Sequence, residues 1–238
     1  IYKASMNAFD KIYDLLDVSF NEITGQSKFS QAGRQFVQEA LDMGVAEYTE
    51  EGAVIIKGLE DYGIPPKVIL RSDGAALYST QDLGAANTRY QQHQFAKMLY
   101  IVADEQDTYF RQVFKILEMT GREWGKDCVH LSFGMINLKD MKMSSRKGNI
   151  VFLEDVLNRA TEYAGKVITD DTIVGDERQE VAQAVGIGAL KYMVLGIEPQ
   201  KNIAFSWERA LDLNGNSSPY IQYMYARAHS MTDGQDYT

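Results

Sequence analysis

The sequence predicts an α/β fold: a doubly wound, mainly parallel sheet followed by helices. Three observations predict it. Between residues 67 and 133, short runs rich in β-branched and aromatic residues alternate with segments of helical period, the pattern of parallel strands joined by crossover helices. Beyond residue 152 the apolar spacing is helical alone. The chain has 238 residues, 45% hydrophobic and 24% charged, so it can bury a sizeable core as one large domain, or one plus part of another.

Taken in order, Met6, Phe9, Ile12, Tyr13, Leu16 and Phe20 recur at three- and four-residue intervals and predict a helix over 6–20. A second helix over 30–43 follows from Phe36, Val37, Ala40 and Leu41, with Ser30 as its N-cap and Gly44 as its stop. Two short apolar runs, 45–48 and 53–56, flank Glu50-Glu51-Gly52 and predict a β-hairpin. Pro65-Pro66 bars helix, so 67–71 is read as a strand, Ser72-Asp73-Gly74 as a turn and 75–79 as another strand. Helix over 80–95, strand over 98–102, helix over 108–119 stopped by Gly121, and strand over 129–133 continue the alternation. Helices over 152–168 and 176–195 close the pattern, the second weakened at Gly186 and Gly188. A boundary is expected between Thr169 and Asp176, giving a domain over 1–170, with a helix and hairpin inserted near 20–66, and a helical segment over 171–238.

Composition narrows the function. Cys128 is the single cysteine and the three histidines are scattered, so neither a disulfide framework nor a Cys- or His-based metal site is expected, and the setting is a reducing cytosol. No apolar run approaches a membrane span. The start, Ile1-Tyr2-Lys3, lacks an initiator Met and a signal profile, so an internal piece of a longer, cytoplasmic protein is expected. A net charge of −9 argues against an extended nucleic-acid surface over the whole piece.

Ligands of doubly wound sheets bind beyond the carboxyl ends of the strands, so the polar residues after Leu77, Val102 and Phe133 should face one crevice. Tyr78 and Asp82 lie four apart at the first of these junctions. Asp82 either caps its own helix or pairs with a cation, and a guanidinium matches a carboxylate with two parallel hydrogen bonds. Gln106, after the next strand, can donate and accept hydrogen bonds around a polar ligand. The stretch Lys142-Met143-Ser144-Ser145-Arg146-Lys147-Gly148-Asn149 is either a solvated basic turn or a polyphosphate loop, its cations screening charge and its hydroxyls donating hydrogen bonds.

These stretches resemble one family. Lys142-Met143-Ser144-Ser145-Arg146 resembles the KMSKS loop of class I aminoacyl-tRNA synthetases, and the continuation Lys147-Gly148-Asn149 resembles arginyl-tRNA synthetases in particular. The segment 72–82 is similar to the family's arginine-recognising segment, with Gln81 where Arg is usual; Tyr78 and Asp82 fall on its tyrosine and aspartate. Gln106 falls on the family's substrate-binding glutamine. His130-Leu131-Ser132-Phe133-Gly134-Met135 resembles its His-x-x-Phe-Gly-Met segment. The likeness is strongest over 68–152 and weakest over 1–66.

What the resemblance implies is the second half of a Rossmann-like catalytic domain, leading after 171 into a truncated, helical anticodon-binding domain. Arginine is activated by ATP, accompanied by Mg2+, and transferred to tRNA(Arg). Arginine is held by Tyr78, Asp82 and Gln106; ATP lies beside His130, Gly134, Met135, Ile136, Met143 and Ser145; Lys142, Ser144, Arg146 and Lys147 carry the catalysis. A monomer is expected. The class I His-Ile-Gly-His signature is not found around His93, His130 or His229, so that element is expected before Ile1 and the piece by itself is expected to be inactive. Two rivals stand: another class I synthetase, such as the cysteine-specific type with its zinc site, and a non-catalytic module on a synthetase scaffold. The aromatic residues Tyr220, Tyr223 and Tyr225 are read as core or interdomain packing ahead of RNA stacking.

Overall fold

A computed structural model of the chain describes residues 2–138, 152–168 and 172–232. Contacts divide the chain into two compact units, Glu22–Phe133 on one hand and Ile1–Asn21 with Gly134–Thr238 on the other. Helix α1 (Tyr2–Leu15) opens the second of these. It stops short of the expected residue 20 because Asp17 turns left-handed (φ 51°) and the Val18 amide closes back onto the Tyr13 carbonyl at 2.9 Å.

The unit Glu22–Phe133 begins with a 3-10 turn, Gln26–Phe29, that runs into α2 (Ser30–Asp42). Ser30 is therefore the first helical residue and not the N-cap; its hydroxyl accepts the Gln81 amide at 2.9 Å. Gly44 ends the helix at φ 70°. Strands β1 (Ala46–Tyr48) and β2 (Val54–Ile56) form the expected hairpin. Strand β3 (Lys67–Leu70) adds to β2 antiparallel, in a sheet of order β1-β2-β3, where the sequence placed 67–71 in the parallel alternation.

The expected strand over 75–79 is a correction: only Ala76 bridges, to Leu70, and helix α3 (Tyr78–His93) has begun by Tyr78. The reason lies in two hydroxyls. Ser79 donates to the Val68 carbonyl at 3.0 Å and Thr80 to the Ile69 carbonyl, while Thr80 Oγ1 accepts the Leu77 amide at 2.8 Å. This caps the helix and ties its first turn to β3. Helix α3 crosses α2 at glycine: a Cβ on Gly33 would stand 2.1 Å from the Thr80 carbonyl oxygen, and one on Gly84 would stand 2.3 Å from the Gly33 nitrogen.

Strand β4 (Met98–Ala103), helix α4 (Asp107–Met119) and strand β5 (Cys128–Phe133) form one β-α-β unit, its strands parallel from Met98↔Cys128 to Ala103↔Phe133. Helix α4 covers one face through Phe110 and Phe114, whose rings meet Tyr100 at 4.9 and 5.2 Å. The opposite face carries Leu99, Ile101, Val129 and Phe133, all exposed, Ile101 at 66%. The unit's core gathers Phe36, Ile56, Leu59, Ile69, Leu83, Ile116 and Leu117, each worth about 1.5–3 kcal/mol on burial. Gln112 is buried at its edge and donates its amide to the carbonyls of Pro65 and Pro66.

In the second unit, β6 (Ile136–Leu138) pairs parallel with β7 (Ile203–Phe205). Helices α5 (Leu153–Val167) and α6 (Gly175–Leu195) pack on each other. Gly186, read from sequence as a weak point, is where they touch: its Cβ would stand 2.5 Å from the Ala160 carbonyl oxygen. A short α7 (Trp207–Ala210) stacks Trp207 on Tyr163 at 5.3 Å, and α8 (Ser218–Met231) packs on α6. Tyr220, Tyr223 and Tyr225 are exposed on α8, which excludes the core packing expected as one alternative and leaves interdomain packing open. The architecture is thus α/β, and among the described residues its parallel sheets are pairs of strands.

Candidate active site

Helix α3 begins at the foot of β3, and its first two turns project Tyr78 and Asp82 on the same side, four residues apart. Strand β4 ends in a 3-10 turn, Asp104–Gln106, that delivers Gln106 to the start of α4, with Tyr109 on the next turn. All four side chains, together with Gln26 and Lys67, line one pocket of about 520 Å³. The three arginine-binding residues expected from sequence are therefore brought together, Asp82 with Gln106 included.

Asp82 is the fifth residue of α3, and Thr80 does the capping, so the alternative of a self-capping aspartate is not what the fold uses. Its carboxylate is held from two sides. The Gln26 amide donates to Oδ1 at 3.1 Å and the Tyr109 hydroxyl donates to Oδ2. Both donors are neutral. The Lys67 ammonium sits 4.5 Å from the centroid of the Tyr109 ring. Partial burial pushes the Lys67 pKa down while the Asp82 charge pulls it back up. Burial, then the neighbouring Asp82 charge, pushes the Tyr109 phenol well above its ordinary value, so it is a proton donor throughout the working range. The site is a concave, part-polar pocket built around one carboxylate, with the exposed Tyr78 ring on its wall.

Gln26 and Tyr109 escaped the sequence reading. For Tyr109 there was a signal, since it stands three residues beyond Gln106 at the start of the same helix; for Gln26, 56 residues from Asp82, there was none. Gln81, where the resemblance puts Arg, is spent on the Ser30 hydroxyl.

The nucleotide residues fare differently. The His130 ring is buried, stacked obliquely on Phe110 at 4.8 Å, with Nε2 donating to the Val102 carbonyl at 3.0 Å and Nδ1 3.6 Å from Asp107. Its side chain is 6% exposed, so it is built into the sheet. The Gly134 amide donates to the Pro199 carbonyl at 2.7 Å, the Met135 amide to the Asn202 side chain at 2.7 Å, and Ile136 is paired with Ile203 in β6–β7. Gly134 is required there, since a Cβ would meet the Lys201 backbone at 2.6 Å. Lys142, Met143, Ser144, Ser145, Arg146 and Lys147 lie outside the described residues. No helix among the described residues is long and apolar enough to cross a membrane.

The family described as tRNA synthetases class I (R), catalytic domain, matches residues 1–207. An arginine–tRNA ligase from Halothermothrix orenii is 40% identical over 237 residues, covering 100% of this chain and 42% of that protein. One from Clostridium perfringens is 39% identical over 227 residues, covering 95% of this chain and 40% of its own. The chain thus spans about two fifths of the length of these relatives. In fold, the crystal structure of arginyl-tRNA synthetase from Plasmodium falciparum matches with a TM-score of 0.82 at 20% identity, over 99% of this chain and 40% of that one. The Thermus thermophilus arginyl-tRNA synthetase matches at 0.75 and 21%, over 94% and 44%. A family match over most of the length, curated relatives about 40% identical and the shared fold lead to one conclusion: the chain belongs to the class I tRNA synthetases (R), within their catalytic domain.

Proposed function

We propose that this chain supplies the arginine-recognising part of an arginine–tRNA ligase, which activates L-arginine with ATP and transfers it to tRNA(Arg). The observation that carries this is the Asp82 carboxylate, held by neutral donors in a pocket shared with Tyr78 and Gln106. A carboxylate left with its charge, in a pocket of amino-acid size, is suited to a guanidinium. Tyr78 lies along the apolar stem of the substrate, and Gln106 offers a donor and an acceptor.

In the reaction the arginine carboxylate attacks the α-phosphate of ATP and pyrophosphate leaves; the adenylate then esterifies the terminal ribose of the tRNA. Both first-step reactants are already ionised, so positioning and stabilisation of developing charge do the work. Lys142, Ser144, Arg146 and Lys147 are the residues proposed for that, with Met143 and Ser145 alongside the ATP. Mg2+ would be carried by the ATP phosphates, where it would neutralise charge. For His130 the proposed part narrows to holding β5 against β4 beside the nucleotide, and for Gly134, Met135 and Ile136 to main-chain and side-chain contact with it.

The doubly wound, Rossmann-like sheet is part of the same proposal. Parallel strands are normally covered on both faces, and the bare apolar face of β4 and β5 calls for a second layer and for further strands. The catalytic domain, expected over 1–170, is extended by the family match to 207, and the helical lead into an anticodon-binding domain, expected over 171–238, is narrowed to the residues beyond it. The protein is placed in the cytoplasm as a monomer. Arginine-dependent ATP–pyrophosphate exchange by the full-length protein, with and without tRNA, tests the function; exchange that another amino acid supports and arginine does not would reject it.

A further inference from the structure

We propose that Gln26 and Tyr109 are positioning residues that set selectivity for a guanidinium by fixing the plane of the Asp82 carboxylate. The inference rests on the arginine-binding reading of this pocket. A carboxylate has two oxygens with about four lone-pair directions between them. Among the described residues each oxygen has one direction taken, Oδ1 by the Gln26 amide at 3.1 Å and Oδ2 by the Tyr109 hydroxyl, and one left. With both oxygens tethered the group cannot rotate about its Cβ–Cγ bond, and the two remaining directions lie in a fixed plane.

That is what a guanidinium needs and an ammonium does not. A guanidinium binds through two parallel N–H groups in a rigid fork, so it gains from an acceptor pair held coplanar; an ammonium is a compact point charge that gains equally from a rotating carboxylate. Because both tethers are neutral, they fix the plane without neutralising the carboxylate, whose charge is otherwise felt by the Lys67 ammonium in the same pocket. Neither tether is loose. Tyr109 is wedged edge-on against Phe110 at 5.2 Å and capped by the Lys67 ammonium. Gln26 opens the 3-10 turn that leads into α2, so the tether binds that turn to α3.

The test uses the full-length protein in arginine-dependent ATP–pyrophosphate exchange with tRNA present. Tyr109→Phe deletes one hydroxyl and keeps the ring; Gln26→Leu deletes the other donor on a different element. Each is expected to raise the arginine KM about tenfold, the size of one lost hydrogen bond to a charged group, with kcat and the ATP KM within about twofold. The preference for arginine over lysine should shrink by a similar factor, since lysine does not use the plane. In an Asp82→Asn background Tyr109→Phe should add little, as expected of a residue acting through another. If the wild-type protein shows no arginine-dependent exchange, the reading of the pocket falls and this inference with it. If the wild type is active but both variants keep the arginine KM and the arginine-to-lysine preference, the inference alone is overturned. A drop in kcat with an unchanged arginine KM, or equal losses for arginine and lysine, would also overturn it.

Discussion

Replacing Gly84 by Ala sets two physical effects against each other. Helix propensity favours alanine in a helix interior by about 1 kcal/mol, so from sequence the change should strengthen α3. The structure demands the reverse. The new Cβ would lie 2.3 Å from the Gly33 nitrogen, 2.7 Å from its Cα and 2.8 Å from the Phe29 carbonyl oxygen, all backbone atoms that no rotamer change can move. Ordinary carbon contacts are about 3.5–4.0 Å, so α2 and α3 must part by roughly 1 Å. Such forced separation costs about 1–3 kcal/mol, and here it also loosens Phe36 and Leu83, both fully buried. Taking the top of that range and subtracting the propensity gain leaves α3 destabilised by about 2 kcal/mol. Native-state hydrogen exchange of the amides over 78–93 in the full-length protein reads this directly, and protection should fall roughly 30-fold. The arginine KM should rise with it, since Tyr78 and Asp82 ride on the first two turns of the displaced helix. Unchanged or increased protection would show that the two backbones are not in contact and would refute the reasoning.

Asp82→Asn removes the charge proposed to pair with the guanidinium and should raise the arginine KM in pyrophosphate exchange at least tenfold while leaving the ATP KM in place; equal effects on both substrates would sink the assignment. Lys142→Ala should lower the maximal exchange rate with the arginine KM nearly unchanged, and the contrary pattern would move Lys142 out of the phosphate site. Stability should also fall at alkaline pH. Burial raises the Cys128 thiol to about 11, so its contribution is fully present below the ordinary value of 9.0 and is lost as pH rises through about 11. The urea midpoint should therefore fall between pH 8.5 and 11, and less steeply in Cys128→Ala; parallel slopes in the two proteins would contradict the assignment. Above pH 10 the partly buried Tyr100 and Tyr109 phenols act in the same direction.

The elements from 78 to 133 were legible because each carries its own period and its own stop, as α4 does with Gly121. The segment 75–79 misled because Ala-Ala-Leu-Tyr-Ser reads as a strand by composition, while its conformation is decided by hydroxyls of Ser79 and Thr80 reaching back to β3. Strand direction was equally hidden: nothing in Lys67-Val68-Ile69-Leu70 says whether its neighbour runs with it or against it. At the site, the resemblance singled out Tyr78, Asp82 and Gln106, and the fold sets the three along one pocket. The tethers of Asp82 were not, since Gln26 and Tyr109 reach it across 56 and 27 residues of chain. Glycine was read by propensity as weakness at Gly186, where the fold uses the missing side chain to bring two backbones together.

The exposed apolar side of β4 and β5 adjoins the elements that build the pocket. Leu99, Ile101, Val129 and Phe133 are partly or largely exposed, and covering them would release several kcal/mol at about 25 cal/mol per Å². The same strand ends in the turn that presents Gln106, and its neighbour holds His130 against it. If a further layer covers that face, a mutation in it would be felt at the pocket as a poorly placed Gln106, and the affinity for the proposed substrate would report on how firmly the two layers are clasped.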